Sequence, residues 1–196
     1  PEACQETEQE GLYVVMIEKE EQKANEECGE QGKRREQEAQ EEPATLSPGI
    51  PDEAFIRGKV PMTKGEVRQV SLCSLRLQKD SVLYDIGSGT GSIAVEAAHL
   101  SKGIKVYAIE KKEEAVALLA QNKEKFQVAN MEIIRGTAPE ACNGLEEPTH
   151  VFIGGSGGHL MEILEVLAAK KRRIRVVMNA ISLETVAEFK QVKERF

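Results

Sequence analysis

No C-x-x-C pair occurs in this chain of 196 residues; its four cysteines, Cys4, Cys28, Cys73 and Cys142, stand far apart. That scatter supplies no zinc or redox motif and no disulfide framework, and it points to a reduced, cytoplasmic protein. The three histidines, His99, His150 and His159, lack the spacing of metal ligands, so no metal centre is expected. Tryptophan is absent, and no apolar run approaches the ~20 residues of a membrane span. The opening residues carry no basic-then-apolar signal pattern. Positive charge is also in deficit, with 26 Lys and Arg against 33 Asp and Glu. The imbalance is local. Residues 1–52 hold 15 acidic and 5 basic side chains, whereas residues 53–196 hold 18 and 21. A mildly basic globular part tolerates an anionic small molecule but lacks the footprint of a nucleic-acid binder.

The acidic front has its own organisation. Residues 18–42 contain no Val, Ile, Leu, Met, Phe or Tyr, too little apolar surface to offset ordering entropy. Residues 18–49 therefore read as a largely disordered linker. Ahead of it, GLYVVMIE (11–18) is a lone β-rich run, and an isolated strand is not stable alone. It reads as the last strand of an upstream domain (residues 1–17), with an added strand on the downstream sheet as the alternative.

From about residue 50 the pattern becomes that of a folded domain. TKGEVRQVSLCSLRL (63–77) sets Val67, Val70, Leu72, Leu75 and Leu77 near one helical face, with Thr63 and Glu66 as a capping box. Strand-like SVLYDI, KVYAIE, MEIIRG, THVFIG and IRVVMN then alternate with helical segments. Repeated βα units with short apolar strands predict an α/β fold: a Rossmann-like, doubly wound, mostly parallel sheet covered on both faces.

Glycine is not scarce where it counts. DIGSGTGS (85–92) joins the first of these strands to a helix, where ligands of open parallel sheets sit. A P-loop needs Lys followed by Ser or Thr, and this stretch has Ser92-Ile93. The dinucleotide fingerprint needs glycine at 92, and an adjacent acid opposes pyrophosphate at a helix N-terminus. Asp85 instead tolerates a ligand carrying a positive amino or sulfonium group, such as S-adenosylmethionine. Glu110, at the tip of the next strand, either accepts ribose hydroxyl protons or caps the following helix. Gly87, Ser88, Gly89, Thr90, Gly91 and Glu110 together indicate a class I methyltransferase. Gly136, Thr137 and Ala138, after the third strand, are candidates for the adenine border, or form an ordinary turn. GGSGG (154–158) presents almost no side chain, a surface suited to a large flat substrate, or a plain connector. KKRRIR (170–175) precedes its strand, so it reads as a solvated face at the opposite edge. Arg57, Lys59, Lys64 and Arg68 are the better anion contacts, and Ser156 and Asn179 are candidates to orient substrate.

These stretches resemble a known family. IPDEAFIRGKVPMTKGEVRQVSLCSLRL, VLYDIGSGTGSIAVEAA, VFIGGSGG and VVMNAISLET are similar to the decarboxylating precorrin methyltransferases of cobalamin biosynthesis. The resemblance runs from about Ile50 to Phe196. It implies methylation at carbon 15 of a precorrin-6 type tetrapyrrole with decarboxylation of the ring C acetate. It also implies Thr63, residues 87–91, Glu110 and Ala138 at the cofactor, a homotetramer, and an upstream carbon-5 methylase ahead of the linker. The sheets of such enzymes end in an antiparallel hairpin that has no counterpart before Phe196, so a fragment of lower stability is expected, with its activity at risk. The rival readings are a class I methyltransferase acting on RNA or protein, and a non-catalytic module binding an adenosine ligand.

Overall fold

The computed structural model describes residues 13–18, 48–170, 172–180 and 183–193. Five parallel strands form the body of one sheet: β2 (Val82–Ile86), β3 (Lys105–Glu110), β4 (Met131–Arg135), β5 (His150–Ile153) and β6 (Arg175–Ala180). Helices α1 (Gly65–Leu75), α2 (Ser92–Leu100), α3 (Glu113–Lys125), α4 (Leu160–Ala168) and α5 (Leu183–Lys193) alternate with them. The sequence-predicted strands all form, with ends shifted by a residue or so. Among the described residues no strand follows β6 in the chain.

Strand order is β1-β6-β5-β2-β3-β4, where β1 is Tyr13–Glu18. The chain runs outward from β2 through β3 to β4, then returns to β5 on the other side of β2. That reversal opens a crevice beyond the carboxyl ends of β2 and β5, the place where doubly wound sheets bind ligands. β1 pairs antiparallel with β6, from Tyr13 opposite Ala180 to Glu18 opposite Arg175. This is the added-strand arrangement, and the pairing says nothing of the segment's ancestry. Residues 19–47, nearly all of the expected linker, lie outside the described residues.

Alternation along each strand divides the core between the two faces. Leu83, Val106, Ala108, Phe152 and Val177 face α1, α2 and α3, packing with Leu72, Leu75, Ile93 and Leu119. Val82, Tyr84, Ile86, Val151 and Ile153 face the other way, onto Leu160, Ile163, Leu164 and Leu167 of α4. All five residues of β2 are buried, as a central parallel strand requires.

Two expectations for the first helix are corrected. Its N-cap is Lys64, not Thr63, and no side-chain cap forms. Glu66 thus falls one position short of the capping-box site, and the Thr63 carbonyl is taken by the Arg68 guanidinium at 2.7 Å. Val70 is 53% exposed, while Arg68 is fully buried. The helix turns toward the sheet on the arginine because Arg68 finds a buried carboxylate there, Glu96 of α2.

Candidate functional site

An open cleft of about 590 Å³ lies at the carboxyl ends of β2, β3, β4 and β5. Its floor is Ile86–Gly89 and Ile109–Glu110; its sides are Gly136–Ala138 and Gly154–Gly157. A strap, residues 49–64, crosses above and contributes Lys59 through Lys64. The size suits a cofactor with part of a substrate.

The glycine loop is shaped by its own hydrogen bonds. The Gly87 and Ser88 N–H groups both donate to the Ile109 carbonyl, at 3.0 and 3.1 Å. Gly91 N–H donates to the Ser88 carbonyl, and Gly89 N–H to Glu110 Oε2 at 3.0 Å. These amides point into the protein rather than at a ligand, so the loop is no phosphate nest. Its glycines serve conformation and contact. Gly87, Gly89 and Gly91 have φ of +72°, +58° and +80°, where a side chain is strained. A β-carbon on Gly91 would sit 2.1 Å from Leu119 Cδ1, so this glycine lets α3 pack on the start of α2.

Glu110 is 8% exposed and makes the contacts expected of the helix-capping alternative. Its Oε1 accepts the N–H groups of Lys111 and Lys112, each at 2.8 Å, at the entry to α3. Among the described residues its Oε2 accepts only Gly89, which leaves one lone pair for a further donor in the cleft.

Asp85 lies behind this surface. It is 1% exposed, and its Oδ2 accepts the Ser88 hydroxyl at 2.6 Å. Among the described residues Oδ1 has no hydrogen-bond partner. Burial pushes the carboxyl up to about 7, with the Ser88 hydroxyl and the Ala94 backbone N–H pulling the other way. Its reach into the cleft is indirect, through Ser88.

The structure thus brings together Thr63, Gly87, Ser88, Gly89, Glu110, Gly136, Thr137 and Ala138, with Lys59, Ser156 and Asn179. Thr90 and Gly91 are buried beneath the loop rather than lining the cleft, as is Asp85. Arg57 is exposed and does not line it. Arg68 is withdrawn altogether from the anion-contact set, because its guanidinium is spent on Glu96 and Asp52. Ser156 Oγ donates to Glu188 of α5 at 3.0 Å, and Asn179 Oδ1 accepts from Ser71 at 3.1 Å.

Sequence reasoning missed Lys111 and Lys112 as site residues. Both line the cleft, and Lys111 Nζ lies 3.1 Å from where a Gly157 β-carbon would stand. Lys59, Lys64, Lys111 and Lys112 against Glu110 and Glu114 make the mouth positive. Lys170, Arg172 and Arg173 of the KKRRIR cluster lie before β6, at the far end of the sheet, where Lys170 approaches Glu147 at 3.9 Å.

A Rossmann-like parallel sheet, a glycine loop with inward amides and an acid at the next strand tip define the class: an S-adenosylmethionine-type methyltransferase fold. The sequence model of the family described as "Precorrin methyltransferase domain" matches residues 53–196, and the chain belongs to that family. It is 47% identical over 146 residues to "Probable cobalt-precorrin-6B C(15)-methyltransferase (decarboxylating)" of Sulfolobus acidocaldarius, covering 72% of this chain and 75% of that protein. The crystal structure of precorrin-6y C5,15-methyltransferase from Geobacter metallireducens superposes with a TM-score of 0.72 at 36% identity. That match covers 77% of this chain and 80% of the other. Precorrin 8W decarboxylase from Methanobacterium thermoautotrophicum gives 0.66 at 36% identity, over 71% and 76% of the two chains.

Proposed function

We propose that this enzyme methylates carbon 15 of a precorrin-6 type tetrapyrrole and removes carbon dioxide from the ring C acetate, using S-adenosylmethionine. The observation that carries the reading is the convergence of Gly87–Gly89, Glu110 and Gly136–Ala138 on one cleft in a chain of this family. The residues fit the cofactor. Glu110 retains a lone pair for a ribose hydroxyl; taking both hydroxyls requires trading its bond from Gly89. Ala138, 3% exposed, and the backbone of Gly136 and Thr137 offer the adenine a wall with little polarity. Thr63 closes the other side. When bound, S-adenosylmethionine supplies an electrophilic sulfonium methyl group.

The chain's own part is alignment. Gly154–Gly157 line the cleft with almost no side chain and with no acid or base in the loop, which suits a flat macrocycle. Lys59, Lys64, Lys111 and Lys112 offer ammonium groups to its carboxylates. Asn179, anchored through Ser71, presents a carboxamide at the same rim. The pair of electrons left when the acetate carbon–carbon bond breaks passes into the conjugated ring of the substrate, so no protein group needs to receive it.

The same reading carries a cytoplasmic homotetramer, with residues 50–196 as the methyltransferase domain. Residues 18–49 are then a linker and residues 1–17 the remnant of an upstream methylase. Light scattering of the purified protein checks the tetramer. The activity is tested by mass spectrometry with S-adenosylmethionine and a precorrin-6B substrate, with and without cobalt. Gain of one methyl group with loss of carbon dioxide is expected. Methylation of RNA or protein in place of the tetrapyrrole would refute it.

A further inference from the structure

The strap over the cleft contains almost no regular structure, only a short 3-10 turn at Asp52–Ala54, yet it forms a wall of the site. Its position comes from side chains that are themselves remote from the cleft. Arg68 of α1, fully buried, donates from Nη1 to the Thr63 carbonyl at 2.7 Å and to Asp52 Oδ1 at 3.0 Å. Its Nη2 donates to the Ile50 carbonyl, and its Nε to Glu96. Glu96 in turn accepts the N–H groups of Gly49 and Ile50. Asn122 of α3, also fully buried, grips the middle of the strap from both sides. Its Oδ1 accepts Ile56 N–H at 2.8 Å, and its Nδ2 donates to the Ile56 carbonyl at 2.7 Å and the Thr90 carbonyl at 2.8 Å.

We propose that Arg68 and Asn122 are positioning residues for the cofactor: two anchors that hold residues 49–64 against the glycine loop so that the cleft wall exists before any ligand arrives. The geometry links the two parts directly. Asn122 joins Ile56 of the strap to Thr90 of the loop through one amide. The Pro61 carbonyl then lies 3.2 Å from the place of a Gly89 β-carbon, so the strap rests on the loop at a glycine. A side chain that satisfies buried backbone groups on both elements fixes their separation, and with it where Lys59–Lys64 of the strap lie over the cleft. Binding to a preformed wall avoids the ordering cost that a loose strap would charge against cofactor affinity. The role rests on the cofactor assignment given above.

Three variants test it. Asn122→Ala removes both grips on Ile56, and Arg68→Lys keeps a charge for Glu96 but loses the fork that reaches Ile50 and Thr63. Asp52→Ala is the mild variant that keeps the buried Arg68–Glu96 pair. Leu167→Ala, in the α4 face on the other side of the sheet, serves as a control matched for thermal stability. Native-state trypsin digestion reports the strap, whose cleavable bonds follow Arg57, Lys59 and Lys64. S-adenosylhomocysteine affinity by calorimetry reports the site. Asn122→Ala and Arg68→Lys are expected to raise strap cleavage and weaken S-adenosylhomocysteine about tenfold, and Asp52→Ala about threefold, one or two hydrogen bonds being at stake. The KM for S-adenosylmethionine should rise while kcat at saturation stays within about twofold, and Leu167→Ala should move neither readout. Equal affinity and equal strap cleavage in wild type and strap variants, or changes that merely follow thermal stability as in Leu167→Ala, would overturn the assignment. A wild-type protein that binds no S-adenosylhomocysteine would sink the cofactor reading and this role together.

Discussion

Gly87 and Gly155 touch backbone to backbone: a β-carbon on Gly87 would lie 2.7 Å from the Gly155 carbonyl oxygen and 2.8 Å from its nitrogen. The loops after β2 and β5 therefore close on each other through two residues without side chains. The contact is one-sided. Gly87 has φ +72° and no space, whereas a β-carbon on Gly155 would meet nothing within 4 Å.

Opposite outcomes follow for two chemically identical substitutions. Gly87→Ala is expected to cost about 2 kcal/mol or more, from left-handed strain and the backbone clash, and to weaken S-adenosylhomocysteine by about two orders of magnitude. Gly155→Ala should leave stability within about 0.5 kcal/mol of wild type. Thermal melts and calorimetry on the pair check this; equal effects would mean that the loops do not meet as described.

Gly91 makes a different kind of contact, with the end of a flexible side chain. Gly91→Ala and Leu119→Ala should each destabilise, Leu119→Ala by about 2–5 kcal/mol as a fully buried leucine. The double variant should be less unstable than the two costs added, by about 1 kcal/mol, because the smaller residue at 119 vacates the colliding atom. Strict additivity in a double-mutant cycle would rule that out. The strain at φ +80° stays in both Gly91 variants.

Glu110→Gln exchanges one acceptor oxygen for a donor. One orientation sets an amide N–H against Gly89 N–H, and the other against those of Lys111 and Lys112. A weakening of S-adenosylhomocysteine by about 10–100-fold is expected, as for a lost hydrogen bond to a charged group with an added mismatch. Calorimetry at constant salt decides it, and unchanged affinity would remove Glu110 from the cofactor site.

Two buried groups give opposing pH dependences. Asp85 titrates near 7 when folded and near 3.8 when unfolded, so its stabilising share is complete below about 4 and is lost as pH rises to about 7. His150 is lowered from 6.5 to about 4, first by burial and then by Arg175 and Arg172. Its share is complete above about 6.5 and is lost as pH falls toward 4. Between pH 4 and 6.5 the two oppose each other in the wild type. Relative to wild type, Asp85→Asn should gain stability as pH rises from 5 to 7, by at most about 1.4 kcal/mol per unit. His150→Asn should gain as pH falls over 6.5 to 4.5. Urea midpoints along that range show the two differences, and parallel curves would contradict both.

The sheet was legible because βα alternation is a local pattern, and each predicted strand forms within a residue or so of its expected ends. DIGSGTGS was legible for the same reason: positive φ and a strand-to-helix turn are properties of a few neighbouring residues. Less legible was what the glycines touch. GGSGG read as an open floor, and two of its glycines turn out to face Gly87 across the strand ends, with a Gly154 β-carbon 3.1 Å from the Gly87 carbonyl oxygen. Val70 came to the surface and Arg68 went inside, since a helical wheel sees periodicity but not the buried carboxylate waiting on α2.

By itself the sequence determined the parallel α/β fold, the glycine loop, the acid at the second strand tip and the family, all of which depend on short-range pattern. Only the tertiary structure decided which of those residues face the cleft. Asp85, Thr90 and Gly91 went beneath the surface, Lys111 and Lys112 came to the rim, and Arg68 became an anchor. The reason is separation along the chain: Asn122 and Ile56 stand 66 positions apart, and Arg68 and Glu96 stand 28 apart. Such partners are set by the packing of helices on a sheet, where a buried polar group must find its mate, and no local run of residues encodes that meeting.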